Sequence, residues 1–101
     1  MYAVEMCFLT AGHGIAPSQE VLAASARRNA TDLTIKIEHL RVSKARREFF
    51  LVAFISASGM GHARRAARLL GAMMTADIRQ IHLFSVRVWQ DPRLNGEEQV
   101  H

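Results

Sequence analysis

Apolar residues gather in four short blocks separated by polar or glycine-containing breaks. Tyr2 to Ala11 is dense in apolar residues and free of Gly and Pro, which predicts a buried strand. Ala11-Gly12-His13-Gly14 ends it. Pro17 suits the first turn of a helix, where a missing N–H leaves nothing unpaired. Val21 to Asn29 continues that helix, with Leu22, Ala26 and Asn29 on one side. Leu33, Ile35 and Ile37 alternate with Thr34, Lys36 and Glu38, the period of a half-buried strand. Ser43 to Arg47 is polar and basic and reads as a hairpin turn. Phe49 to Ala57 is nearly all apolar and predicts a central strand. Ser58-Gly59-Met60-Gly61 breaks the chain again. His62 to Thr75 is the best helix pattern: Ala63, Ala66, Ala67, Leu70, Met73 and Met74 oppose Arg64, Arg65 and Arg68. Ile81 to Trp89 is the last predicted strand.

The order is therefore β-α-β-β-α-β. The halves also look alike at an offset of 46 residues: Phe8-Leu9-Thr10-Ala11 matches Phe54-Ile55-Ser56-Ala57, and Arg41-Val42 matches Arg87-Val88. Two βαβ units of this kind predict an α+β fold, a two-layer ferredoxin-like βαββαβ sandwich. Its four-stranded antiparallel sheet, in order 4-1-3-2, puts the two most apolar strands in the middle. Residues 1–90 form the single domain with two pseudo-repeated halves, and 91–101 a polar C-terminal tail.

One face of such a sheet packs on the helices. Val4, Met6, Phe8, Phe50, Val52 and Phe54 are assigned to it, with Ile35, Ile37, Ile81 and Leu83. The other face then carries Ala3, Glu5, Cys7, Leu9, Phe49, Leu51, Ala53, Ile55, Phe84, Val86 and Val88. An apolar face of that extent is rarely left in water. A second copy is the commonest cover, so a sheet-packed dimer of the α+β-barrel kind, or a higher homo-oligomer, is expected. A cavity between the sheets suits a small molecule. The assignment depends on register, since a slip of one residue inverts every side chain.

Composition narrows the classes. The chain has 101 residues, half of them hydrophobic, with a net charge of +4; this is an ordinary globular composition. Eleven of the 13 cationic residues are Arg, which favours planar, bidentate contact with anions. One cysteine leaves no internal disulfide. The longest strictly apolar run, Phe49 to Ile55, is seven residues, too short for a membrane-spanning helix. With no evident signal peptide, a cytoplasmic location and no membrane partner are expected.

The candidate chemistry lies in three places. Glu5 and His82, read onto neighbouring strands of the free face, form a carboxylate–imidazole pair of the kind that makes a general base; the bland alternative is an edge carboxylate and a solvated imidazole. Cys7 lies on the same face, and a mid-strand cysteine is more often inert than nucleophilic. Gly59, Gly61 and His62, followed by Arg64 and Arg65, suit an anion at a helix start, although the same residues also make an ordinary strand-to-helix turn. The loop has neither the Lys-Ser/Thr of a Walker motif nor the third glycine of a dinucleotide fingerprint. His13, between glycines, reads as a ligand-contacting or merely exposed loop residue, near the basic hairpin Lys44-Ala45-Arg46-Arg47. Histidine spacing supports no metal, and no motif asks for a cofactor.

Resemblance exists at fold level only, to ferredoxin-like proteins. These include cofactor-independent enzymes, ligand-sensing modules and RNA binders, and fold does not choose among them. The leading expectation is a homo-oligomer that binds a small organic ligand, anionic ones suiting the arginines. It would be a sensor or an isomerase, cyclase or oxygenase. The alternatives are a nucleic-acid binder using the Arg-rich loops and a protein–protein interaction module. A pI near 10 favours nucleic acid, but a free face whose aromatic is mainly Phe49 does not.

Overall fold

The computed structural model describes residues 1–10, 12 and 15–90. His13 and the tail 91–101 lie outside the described residues. The elements run β1 (Tyr2–Thr10), α1 (Gln19–Asp32), β2 (Ile37–Ala45), β3 (Glu48–Ile55), α2 (Met60–Asp77) and β4 (Ile81–Gln90). All strand pairs are antiparallel, and the sheet order is β2-β3-β1-β4. This is the ferredoxin-like sandwich, with two helices on one face of the sheet.

Local chemistry sets the helix ends. Ser18 is the α1 N-cap, and its side chain accepts a hydrogen bond from the Val21 N–H at 3.1 Å. Pro17 thus sits before the cap rather than inside the first turn, so the N–H it lacks is again one no helix bond needs. Leu33 caps the other end, donating its N–H to the Asn29 carbonyl. Thr34 follows with φ 56°. That end shifts the second strand: it begins at Ile37, not Leu33, and runs to Ala45, leaving only Arg46 and Arg47 for the turn.

The expected facing is right for β1, inverted throughout β3, and wrong in β4 at Val86 and Val88. Val4, Met6 and Phe8 are fully buried beneath the helices. Each pairs with a β3 residue on the same face: Ala53, Leu51 and Phe49. Phe49, Leu51, Ala53 and Ile55 therefore build the core, and Phe50, Val52 and Phe54 turn away from it. The reason is the β1 partner: once Met6 is inside, its antiparallel neighbour Leu51 must be inside too. Val86 and Val88 also pack against the core, the reverse of expectation. An extra residue, Phe84, sits between the pairs Cys7–Ser85 and Phe8–Leu83. This bulge lets Ile81, Leu83, Val86 and Val88 share a face although their spacing is not strictly two. In the 46-residue match, accordingly, Phe8 is core while its counterpart Phe54 is on the other face.

The core centres on Phe8, Phe49, Met6, Leu22, Leu51, Leu70 and Met74. Each large side chain so buried contributes about 1.5–3 kcal/mol relative to exposure. At Gly71, α2 comes so near the sheet that a Cβ would lie 2.8 Å from Leu83 Cδ2.

Candidate functional site

The face turned from the helices is read off the register. In rows across the sheet it carries His39, Phe54, Ala3 and Trp89; then Arg41, Val52, Glu5 and Arg87; then Ser43, Phe50, Cys7 and Ser85. It is less apolar than the expected face, because β2 and β4 contribute His39, Arg41, Ser43, Ser85 and Arg87. Its centre remains apolar apart from Glu5. Ala3 is fully buried between Phe54 and Trp89, and Cys7 is 6 % exposed between Phe50 and Ser85. Towards the β4 edge, Trp89 and Phe84 are 38 % and 67 % exposed.

On the β2 side the face opens into a pocket of about 370 Å³ lined by His39, Arg41, Val52 and Phe54. Phe54 and Val52 form an apolar floor. The His39 ring stacks on Phe54 with centroids 6.0 Å apart. Arg41 brings a guanidinium, and neither it nor His39 is in an ion pair among the described residues. A planar or apolar body above Phe54 with an anionic group at Arg41 fits this arrangement.

Glu5 and His82 share the face but not a neighbourhood. Glu5 lies opposite Arg87, and Arg87 Nη1 donates to Glu5 Oε1 at 3.5 Å. The same guanidinium lies 5.8 Å from the Trp89 ring centroid. His82 lies opposite Leu9, four residues along β1 from Glu5 and so roughly 13 Å away. The carboxylate–imidazole pair is not assembled, because the bulge and the antiparallel register give Glu5 an arginine instead. The Cys7 thiol is pushed above its ordinary pKa, first by burial and then by the Glu48 and Glu5 carboxylates. It is therefore a poor nucleophile at neutral pH.

The glycine loop starts α2. Gly59 is its N-cap in extended backbone. A Cβ on Gly59 would meet nothing within 4 Å, and one on Gly61 only Arg65 Nη1 at 3.7 Å. These glycines are not demanded by a close backbone approach. His62 turns back on the loop: its Nδ1 accepts the Ser58 N–H at 3.0 Å. His62, Arg64 and Arg65 are all exposed. Among the described residues no group of three or more His, Cys, Asp or Glu is placed to hold a metal ion. No described helix is long and apolar enough to cross a membrane.

His39, Arg41 and Phe54 line the pocket, and the sequence reading did not place them in a candidate site. The signal was present: His39, Arg41 and Ser43 alternate with Leu40, Val42 and Lys44. It becomes visible only when the strand is carried to Ala45.

No protein-family model and no curated protein matches the sequence. Solved structures match its shape. The C-terminal domain of the MgtC protein from Mycobacterium tuberculosis superposes with a TM-score of 0.53 at 14% identity, covering 89% of this chain and 85% of that one. An ACT domain protein from Streptococcus pneumoniae superposes with a TM-score of 0.51 at 11% identity, covering 93% of each chain. At these identities the likeness is one of fold.

Proposed function

We propose that the chain is a ligand-sensing module that works as a homo-oligomer. Its open sheet face takes a small organic anion with a planar or apolar body, and a second copy closes over it. The observation that carries this reading is the His39–Arg41–Val52–Phe54 pocket: an apolar floor beside a guanidinium that has no ion pair among the described residues. Phe50, Leu9, Phe84 and Trp89 extend the apolar surface around it, and a patch of that kind favours a cover. Binding is favoured over catalysis because Glu5, the one carboxylate in the middle of the face, is engaged by Arg87.

The test is native mass spectrometry combined with thermal shift in the presence of benzoate and phenylalanine. A dimer whose melting temperature rises with one of these ligands, and no longer does so in Arg41→Ala, supports the reading. A monomer that no carboxylate stabilises, or stabilisation that survives both Arg41→Ala and His39→Ala, overturns it.

One observation favours a second reading. The register that brings Phe50 and Phe54 onto the free face of a central strand sets them next to the strand of Arg41 and across β1 from Arg87 and Trp89. Aromatics interleaved with arginines on a four-stranded sheet can stack unpaired bases. Binding of single-stranded RNA that weakens steeply with salt and is lost in Phe54→Ala supports it; salt-independent or absent binding removes it.

A further inference from the structure

A second concavity lies on the helix layer, away from the sheet face. It is a groove of about 300 Å³ lined by Leu33, Ile35, His62, Arg65, Ala66 and Leu69. Its long wall is aliphatic: Leu33 and Ile35 are half-buried against the core, and Leu69 on α2 is 50 % exposed. Its other end is cationic. Among the described residues no carboxylate lines it and Arg65 enters no ion pair.

The state of His62 is set independently. Because Nδ1 accepts the Ser58 backbone N–H, the neutral ring must carry its proton on Nε2. The neutral imidazole held in this way presents its Nε2–H as a donor. A donor N–H and a planar guanidinium at one end of an aliphatic trough match a planar oxyanion with a hydrocarbon tail. They do not match a cation or a neutral alcohol.

We propose that this groove binds a small aliphatic carboxylate. Its tail lies along Leu33, Ile35 and Leu69, and its carboxylate is held by Arg65 and His62 Nε2. The site is separate from the sheet-face pocket and stands or falls without it.

The experiment is a titration of the intact chain with octanoate, followed residue by residue in amide NMR spectra. Saturable shifts at Leu33, Ile35, His62, Arg65 and Leu69 are expected. Octan-1-ol, which has the tail without the charge, and acetate, which has the charge without the tail, should each bind at least tenfold more weakly. Arg65→Gln, an exposed substitution that leaves the core alone, should weaken octanoate by about tenfold or more. Leu69→Lys should weaken it as well. Shifts that do not saturate, shifts mapping to Val52 and Phe54, or an affinity indifferent to Arg65→Gln each overturn the proposal.

Discussion

Arg28 on α1 and Asp77 in the last turn of α2 meet at 2.6 Å, guanidinium Nη2 to carboxylate Oδ2. The same oxygen accepts from Asn29 Nδ2 at 2.8 Å and Ser25 Oγ at 3.1 Å. An aspartate at a helix C-terminus opposes the helix dipole. Three donors from the neighbouring helix offset that and fasten α1 to α2. Ser25 and Asn29 are themselves buried, so Asp77 also satisfies groups that would otherwise lack a full set of partners. Asp77→Ala should lower the melting temperature at pH 7 by about 5 °C. An unchanged melting temperature would show that the helices need no such tie.

The Asp77 carboxyl is held below its ordinary pKa, chiefly by the Asn29 and Arg28 hydrogen bonds. A carboxyl depressed in the folded state adds stability that is fully present above its unfolded pKa, about 3.9. That stability is lost as pH falls through the folded value. Urea unfolding at pH 7 and in steps below pH 4 should therefore show wild type losing stability with acid faster than Asp77→Asn does. Parallel profiles would contradict the assignment.

The facing of β3 can be checked by a neighbouring pair of substitutions. Phe49 is fully buried and Phe50 is on the open face. Phe49→Ala should cost about 3–5 kcal/mol, and Phe50→Ala markedly less, about 1 kcal/mol, in denaturant unfolding. Equal costs, or the reverse order, would restore the facing read from alternation.

Gly71 tests the approach of α2 to the sheet. In a free helix, alanine is favoured over glycine by about 1 kcal/mol. Here the new methyl would lie 2.8 Å from Leu83 Cδ2 and 3.3 Å from Met6 Sδ. Gly71→Ala should be net destabilising by about 1 kcal/mol, since both neighbours must move. A stabilised variant would mean that Leu83 yields freely.

Cys7 should be slow to react. Its thiol is buried and its pKa raised. Labelling with a thiol reagent at pH 8 should be at least about 100-fold slower in the native chain than in urea, because it awaits local opening. Rapid native labelling would show that the sheet face breathes at β1.

The topology was legible because β1 and β3 are the two most apolar strands, and such strands belong in the middle of a sheet. The phase of β1 was legible too, since Glu5 marks its outer face. The phase of β3 was not. Phe49, Leu51, Ala53 and Ile55 are as hydrophobic as Phe50, Val52 and Phe54, so alternation has nothing to choose between. Only the pairing with Met6 and Val4 decides. For β4 the difficulty is different: the extra residue at Phe84 changes the phase within the strand, and a fixed period of two cannot follow it. The Glu5–His82 reading fell with the register, which sets His82 opposite Leu9 and Arg87 opposite Glu5, and His39 and Arg41 went unnoticed because β2 was ended at Glu38. Pairing is a long-range property, and these site residues depend on it.

Both outer strands carry an irregularity, at Glu38 in β2 and at Phe84 in β4, whereas the pairing of β1 with β3 runs without one. An extra residue in a border strand twists its unpaired amide and carbonyl groups out of line. A neighbouring chain then finds no straight ladder to extend, and fibrillar growth from either border is discouraged. The sheet-to-sheet association proposed above therefore meets less competition from rim-to-rim pairing.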